Sequence, residues 1–145
     1  MAAGRLGAVI LVDSNILIDV FGAAQEWRDW SRAKLADLVL DEDLAVNQIA
    51  FAEVAPRSGS LDQFRARLAE LEIVFEPFSE EAAFAAGQAF LAYRSRRKES
   101  IQVLPDFFIG GHAQVTKAQI LTRDPRFYRA YFPAVPLITP DKAEP

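Results

Sequence analysis

Short apolar runs alternate along the chain with longer segments that have helical periodicity. The first run, from Gly7 to Val12, is almost wholly apolar and ends at Asp13, which is typical of a buried central strand. Further strands are predicted at Leu44–Asn47, Ile73–Phe75, Gln119–Thr122 and Val135–Ile138. Because helices separate these strands, the pattern predicts an α/β fold with a parallel, helix-covered sheet.

The segments between the strands have the apolar spacing and the terminal signals of helices. Ser14 is expected to cap a short helix that ends at Gly22, and a second helix is expected over Ala24–Leu40. The remaining predicted helices are Gln48–Ala55, closed by Pro56; a helix to Leu71 opened by the capping box Ser60–Gln63; Glu80 to about Lys98, capped by Ser79; and Phe107 to about Lys117, with Asp106 as its N-cap.

Composition restricts the class of protein. The 145 residues, 51% of them hydrophobic, fit one globular domain over residues 1–145, with 139–145 as a tail. There is no cysteine, which excludes disulfides and thiolate metal sites and favours the reducing cytoplasm. No apolar stretch approaches the roughly 20 residues of a membrane helix, and the N-terminus lacks a signal-peptide layout. We therefore expect a cytoplasmic protein without a membrane span.

The net charge of −4 argues against a protein that coats nucleic acid by bulk electrostatics. A nuclease remains compatible with this charge, since clustered acids that hold a cation add negative formal charge. Basic residues concentrate at the end of the long alanine-rich helix, where Arg94, Arg96, Arg97 and Lys98 follow Tyr93. These cations either complement the helix dipole or contact RNA phosphates.

Acidic residues occur where the predicted sheet would offer a site. Asp13 and Asp124 follow predicted strands, and Glu53 and Asp106 lie shortly after a strand or strand-like segment. Ligands bind beyond the carboxyl ends of parallel strands, and converging carboxylates repel one another unless a cation neutralises them. All-oxygen ligation, with no cysteine and one histidine, favours Mg²⁺ or Mn²⁺. Such a metal suits phosphodiester hydrolysis.

Two of these acids, and two other polar features of the sequence, also have structural explanations. Asp106 alone would serve as a helix N-cap, and Glu53 has Arg57 at helical ion-pair spacing, although Pro56 weakens the helix there. His112, six residues beyond Asp106, should point away from that acid, so we assign it a structural role. The acidic run Asp41–Asp43 is expected to be a solvated loop.

Four motifs together resemble the PIN domain in their order and spacing. They are Val12-Asp13-Ser14-Asn15-Ile16-Leu17, Glu53 in the helix after the second strand, Pro105-Asp106-Phe107-Phe108-Ile109, and Leu121-Thr122-Arg123-Asp124-Pro125-Arg126-Phe127. The resemblance covers nearly the whole chain, whose size is similar to the VapC-type toxins of type II toxin–antitoxin pairs. It implies an α/β/α sandwich with a central, mostly parallel, about five-stranded sheet. It further implies a Mg²⁺- or Mn²⁺-dependent endoribonuclease whose products carry 5′-phosphate and 3′-hydroxyl ends.

The resemblance also assigns roles to individual residues. It implies Asp13, Glu53, Asp106 and Asp124 as the catalytic acids. Asp13, Asp106 and Asp124 would ligate metal, and Glu53 would ligate metal or orient the attacking water. Asn15 and Thr122 would support the carboxylates through hydrogen bonds.

Two partners follow from the same resemblance. It implies a homodimer and a VapB-like antitoxin that lays a helix and an extended tail across the site. The aromatic residues Phe21, Trp27 and Trp30 are candidates for part of the antitoxin groove, with ordinary core packing as the alternative.

Two other functions remain open, and one local departure from the family is visible. The chain could be a non-catalytic module that binds metal, RNA or protein, or a phosphohydrolase with an aspartyl nucleophile. Phosphohydrolases of that class commonly have a second aspartate where this chain has Asn15, and they need a lysine that cannot be located here. Gly110 and Gly111 replace the small alanines common in the family, and close packing of the helix on a strand would explain them.

Overall fold

A five-stranded parallel sheet forms the centre of the computed structural model, which describes residues 9–22, 26–96 and 104–140. The strands are β1 (Val9–Val12), β2 (Asp43–Val46), β3 (Ile73–Phe75), β4 (Gln119–Leu121) and β5 (Leu137–Ile138). Their order is β3-β2-β1-β4-β5, and all four pairings are parallel. The predicted α/β fold with a five-stranded sheet is confirmed.

The central strand β1 is covered on both faces. Ile10, Leu11 and Val12 are each at most 1% exposed, and successive side chains of a strand point to opposite faces. Two buried faces account for the unbroken apolar run, because a parallel sheet carries helices on both sides. From β1 the chain builds β2 and β3 on one side and then crosses to add β4 and β5 on the other. The carboxyl ends of β1 and β4 therefore flank the topological switch point, where open α/β sheets bind ligands.

Helices alternate with the strands, largely as predicted. They are α1 (Ser14–Phe21), α2 (Arg28–Leu38), α3 (Gln48–Val54), α4 (Leu61–Glu70), α5 (Glu80–Arg96), α6 (Leu104–Thr116) and α7 (Arg126–Tyr131). A 3₁₀ turn over Ala55–Arg57, with Pro56 inside it, follows α3. The capping box is confirmed, since Gln63 N donates to Ser60 Oγ over 3.1 Å and Ser60 N donates to Gln63 Oε1 over 2.8 Å. None of the helices in the described ranges is long and apolar enough to cross a membrane.

Some helix boundaries differ from the prediction. Asp13, and not Ser14, is the N-cap of α1, because its side chain accepts the Ser14 amide over 2.8 Å. Asp106 is not an N-cap either, since the chain is already helical at Leu104 and Asp106 lies within the first turn of α6. The predicted second helix begins later, at Arg28, and Ala24 and Lys98 lie outside the described residues.

The glycine pair in α6 permits close contacts, but the main neighbour is a helix and not the expected strand. A Cβ atom on Gly111 would lie 2.6 Å from the carbonyl oxygen of Ala82 and 2.9 Å from the amide nitrogen of Ala86, both in α5. A Cβ atom on Gly110 would lie 2.3 Å from the ring of Phe132. Real Cβ atoms do not approach backbone so closely, so α5 and α6 can pack at this distance only if Gly111 has no side chain.

Candidate functional site

Asp13 lies at the junction of β1, β4 and α1. Its amide nitrogen donates to the carbonyl oxygen of Leu121 over 3.0 Å, which extends the pairing of β1 with β4 by one hydrogen bond. The residue is 4% exposed. Its Oδ1 accepts the Ser14 amide over 2.8 Å, and its Oδ2 accepts the hydroxyls of Thr122 over 2.8 Å and Tyr128 over 3.0 Å. The positive end of the α1 dipole also favours a carboxylate here.

Thr122 and Asn15 form a short hydrogen-bond chain that ends on Asp13. The Thr122 hydroxyl oxygen accepts Asn15 Nδ2 over 3.2 Å and the Asp124 amide over 3.0 Å. Both of its lone pairs are then used, so its single proton is directed to Asp13 Oδ2. Asn15 thus reaches the carboxylate through Thr122, and its Oδ1 accepts the Arg123 amide over 3.1 Å.

An ion pair between Arg123 and Asp19, which the sequence did not reveal, links the turn after β4 to α1. Arg123 donates two hydrogen bonds to Asp19, from Nε to Oδ2 over 2.6 Å and from Nη2 to Oδ1 over 2.9 Å. Ser31 Oγ of α2 also donates to Asp19 Oδ2 over 2.7 Å, and the guanidinium lies 5.2 Å from the ring centre of Trp27. The sequence did contain a signal for this ion pair. Asp19 is an acid inside an apolar helix, and it lies four residues after Asn15 and therefore on the same face of that helix.

Glu53 lies in the last turn of α3, where the helix dipole disfavours a carboxylate. Its Oε1 is buried and has no hydrogen-bond partner within the described residues. Arg57, the expected ion-pair partner, instead directs Nη1 to the backbone carbonyl oxygen of Glu53 over 3.5 Å. A buried carboxylate oxygen without a partner is costly, so Glu53 needs a positive ligand or a hydrogen-bond donor.

The four predicted acids influence one another electrostatically. Burial raises the pKa of Asp13, the hydrogen bonds from Thr122, Tyr128 and the Ser14 amide lower it, and the charge of Glu53 raises it again. Burial, and to a smaller extent the charges of Asp13, Glu53 and Asp124, together raise the pKa of Asp106 to about 7. The structure therefore brings Asp13, Glu53, Asp106 and Asp124 into one electrostatic environment, with Asp124 at its exposed margin.

The donor atoms suit a divalent cation in kind, although the carboxylates are not gathered around one point. Across the described ranges, no three Asp, Glu or His side chains are spaced to enclose a metal ion. The available ligands are carboxylate oxygens, which Mg²⁺ and Mn²⁺ prefer, and Glu53 Oε1 is buried and unpaired. Asp13, Asp106 and Asp124, with Glu53, could hold such an ion if their side chains moved towards one another.

Comparison with known proteins gives the family of this chain. The sequence matches the PIN domain family over residues 10–133. The chain belongs to the PIN domain family. Among curated proteins none matches the sequence.

Solved structures reproduce the architecture of this PIN domain. VapBC2 from Rickettsia felis, bound to a DNA fragment from its promoter, is 20% identical with a TM-score of 0.69, and the match covers 90% of this chain and 98% of that one. A toxin–antitoxin complex from Klebsiella pneumoniae is 27% identical with a TM-score of 0.60, covering 90% and 97%. FitAcB from Neisseria gonorrhoeae is 22% identical with a TM-score of 0.63, covering 89% and 96%. All three share the fold of this chain along almost its whole length.

His112 connects two helices of the PIN domain through a hydrogen bond with Asn47, and its other ring nitrogen lies near Glu76. Asn47 caps α3 with Oδ1, which accepts the amides of Ile49 and Ala50, so its Nδ2 donates to His112 Nδ1 over 3.1 Å. The histidine proton is then on Nε2, which lies 3.5 Å from Glu76 Oε2. Burial lowers the pKa of His112, against an opposing effect of Glu76. A neutral His112 therefore ties α6, which carries Asp106, to the start of α3, which carries Glu53.

The remaining predicted binding residues are only partly described. Arg94 is exposed, with its guanidinium 6.0 Å from the ring centre of Phe90; Arg96 ends α5, and Arg97 and Lys98 lie outside the described residues. The three aromatic residues proposed for a groove are partly buried. Trp27 and Trp30 pack edge to face at 6.2 Å, whereas Phe21 packs on Phe64 at 5.7 Å.

Proposed function

We propose that this PIN domain is a Mg²⁺- or Mn²⁺-dependent endoribonuclease and the toxin of a type II toxin–antitoxin pair. The observation that carries the proposal is that the charges of Asp13, Glu53 and Asp124 all act on Asp106, with Asp13 at the carboxyl end of β1 beside the switch point of the sheet. Burial and the other three acids raise the pKa of Asp106 to about 7, and Glu53 Oε1 is buried without a partner in the described chain. A divalent cation would remove both penalties, and membership of the PIN domain family supports nuclease chemistry.

The four acids would have two roles in the hydrolysis of RNA, binding the cation and orienting the attacking water. Asp13, Asp106 and Asp124 would hold the cation, and Glu53 would hold it or accept a hydrogen bond from the attacking water. A bound divalent cation lowers the pKa of water and balances charge on the phosphorus. Thr122, whose proton is directed to Asp13 Oδ2, would keep that carboxylate in place during the reaction. Cleavage of the P–O3′ bond by water leaves 5′-phosphate and 3′-hydroxyl ends.

The partners we propose are RNA, a second copy of the chain and a small antitoxin. One solved structure similar to this chain is a toxin–antitoxin complex, which supports a VapB-like antitoxin here. Trp27 and Trp30 are partly buried at the start of α2. They would contribute to the antitoxin groove. Arg94 and the cations after it would contact RNA phosphates. Such a toxin would act on RNA in the cytoplasm.

A non-catalytic binding module is the second candidate. It is favoured by one observation, that no three acidic or histidine side chains in the described ranges are spaced to enclose a metal ion. A protein that binds RNA and Mn²⁺ but yields no cleavage product would establish it. The phosphohydrolase alternative gains no support. Enzymes of that class commonly have a second aspartate at the position of Asn15, whereas here the side-chain amide of Asn15 donates to Thr122 and accepts from the Arg123 amide.

The test of the proposed function is the Asp13→Asn variant. Asparagine is nearly the same size as aspartate but is neutral, so cation binding should fail while the fold is kept. We expect growth arrest on induction, and cleavage of RNA by the purified protein, to be lost with an unchanged circular dichroism spectrum. A folded Asp13→Asn protein with wild-type cleavage would contradict the proposal.

A further inference from the structure

The hydroxyl of Tyr128 contacts the proposed metal ligand Asp13 directly, although Tyr128 belongs to none of the sequence motifs. Tyr128 is 1% exposed, and its hydroxyl donates to Asp13 Oδ2 over 3.0 Å. A phenol, whose ordinary pKa is about 10, is protonated at neutral pH and is therefore a hydrogen-bond donor.

The hydrogen bonds on Asp13 are distributed unequally between its two oxygens. Oδ2 accepts two hydroxyl protons, one from Tyr128 and one from Thr122, which fills its lone pairs. Oδ1 accepts only one amide proton in the described structure, from Ser14 over 2.8 Å, and keeps capacity for a further ligand. Rotation of the carboxylate would disturb all three bonds at once, so its orientation is fixed before any ligand binds.

We infer that Tyr128 is a positioning residue that occupies Oδ2 of Asp13, so that Oδ1 is the oxygen offered to a divalent cation. The inference rests on the proposed function, because it assigns a supporting residue to the same site. Outer-shell groups of this kind orient metal ligands, and their loss weakens metal affinity by 10–100-fold in typical sites. Tyr128 and Thr122 would share that task, one from α7 and one from the turn after β4.

The test compares Mn²⁺ affinity, measured by electron paramagnetic resonance, in the full-length wild type, Tyr128→Phe and Tyr131→Phe. Phenylalanine removes one oxygen and keeps the ring. Tyr131 is the matched control on the same helix, with a ring that packs on Phe107 at 5.7 Å and Phe127 at 5.3 Å. We expect the Mn²⁺ Kd to rise about tenfold in Tyr128→Phe and to stay at the wild-type value in Tyr131→Phe. A folded Tyr128→Phe protein with the wild-type Kd would overturn the inference.

A second measurement covers the case in which Tyr128→Phe does not fold. The chain has three tyrosines, so wild-type protein labelled with ¹³C at the tyrosine Cζ gives three signals, which the Tyr131→Phe variant helps to assign. The Cζ shift reports the hydrogen bond of the hydroxyl. We expect the Tyr128 signal to move on titration with Mg²⁺, and a signal that does not move while Mg²⁺ binds would overturn the inference.

RNA cleavage by the same samples separates this inference from the proposed function. Weakened Mn²⁺ binding in Tyr128→Phe, with no RNA cleavage by the wild type, would support the positioning role and contradict only the nuclease. Wild-type cleavage with equal Kd values in wild type and Tyr128→Phe would contradict only the positioning role. A wild type that binds no Mn²⁺ would overturn both.

Discussion

The environment of Asp106 disfavours the ionised form of its carboxyl group. Burial, and to a smaller extent the charges of Asp13, Glu53 and Asp124, together raise its pKa to about 7. A carboxyl group whose pKa is higher in the folded than in the unfolded chain stabilises the fold below the unfolded pKa, near 4. That contribution is lost as the pH rises through about 7. The metal-free site is therefore a source of instability at neutral and alkaline pH.

We expect Asp106→Asn to stabilise the metal-free protein at pH 8 by about 1–2 kcal/mol, an estimate reduced for partial exposure, and to have a much smaller effect at pH 5. The asparagine removes the repelled charge, which the wild type already neutralises by protonation at pH 5. Thermal unfolding in EDTA at the two pH values measures the difference. The control is Asp62→Asn, whose side chain is 93% exposed and should change stability little at either pH. An equal gain at both pH values would contradict this interpretation of Asp106.

At the residue scale the sequence predicted the acids and two hydrogen-bonding supports, Asn15 and Thr122, of which Thr122 donates directly to Asp13, but it did not predict the contacts of Tyr128 and Arg123. Asp13 was evident because a carboxylate ends an apolar run, and such a change of polarity is local. Tyr128 and Arg123 were not evident, because their partners Asp13 and Asp19 lie 115 and 104 residues away in the chain. Only the pairing of β1 with β4 brings these residues together.

The elements were predicted better than their ends. Apolar periodicity extends over many residues, so the strands and most helices were recognised from the sequence. Helix ends depend on one or two backbone hydrogen bonds. For this reason Ser14 was predicted as the cap of α1 in place of Asp13, and the start of α6 was predicted at Phe107, three residues later than its observed start at Leu104. The glycine pair of α6 was expected against a strand, because sequence spacing does not show which neighbour a helix face meets.

Gly111 should be essential to the contact between α5 and α6. We expect Gly111→Ala to destabilise the protein by about 1–3 kcal/mol despite the better helix propensity of alanine, because the new Cβ atom meets backbone atoms of Ala82 and Ala86 within 3 Å. The control is Gly87→Ala in α5, where a Cβ atom meets nothing within 4 Å and a gain of about 0.5–1 kcal/mol is expected. Urea unfolding of both variants provides the test, and stabilisation by both would contradict the packing described here.

Over the whole molecule, the order of the strands explains why acidic residues far apart in sequence lie close enough to affect one another electrostatically. Asp13 and Asp124 follow β1 and β4, which are neighbours in the sheet although residues 13 to 118 separate the two strands in sequence. Glu53 and Asp106 belong to α3 and α6, which His112 and Asn47 connect by a hydrogen bond of 3.1 Å. The sequence predicted convergence from the rule that parallel strands bind ligands at their carboxyl ends, but it could not give the distances between the acids.

The basic end of α5 should determine RNA affinity and not the chemistry. We expect replacement of Arg96 and Arg97 by glutamine to weaken RNA binding and to lower the slope of log Kd against log salt by about 1–2, since each phosphate contact releases counterions. Arg65→Gln is the control, because Arg65 is exposed and pairs with Asp62 at 3.5 Å. Fluorescence anisotropy over a range of salt concentrations gives the slopes. If the slope of log Kd against log salt were unchanged in the double variant, Arg96 and Arg97 would not contact the RNA.

Cleavage of a defined RNA by the purified wild-type protein, with analysis of the product ends, tests the proposed nuclease most directly. The reaction is run with Mg²⁺, then with excess EDTA, and then with Mg²⁺ restored. We expect cleavage to stop with EDTA and to return with Mg²⁺, and the products to carry 5′-phosphate and 3′-hydroxyl ends. Cleavage that persists in EDTA and leaves 2′,3′-cyclic phosphate ends would show that the four acids do not act through a metal-bound water.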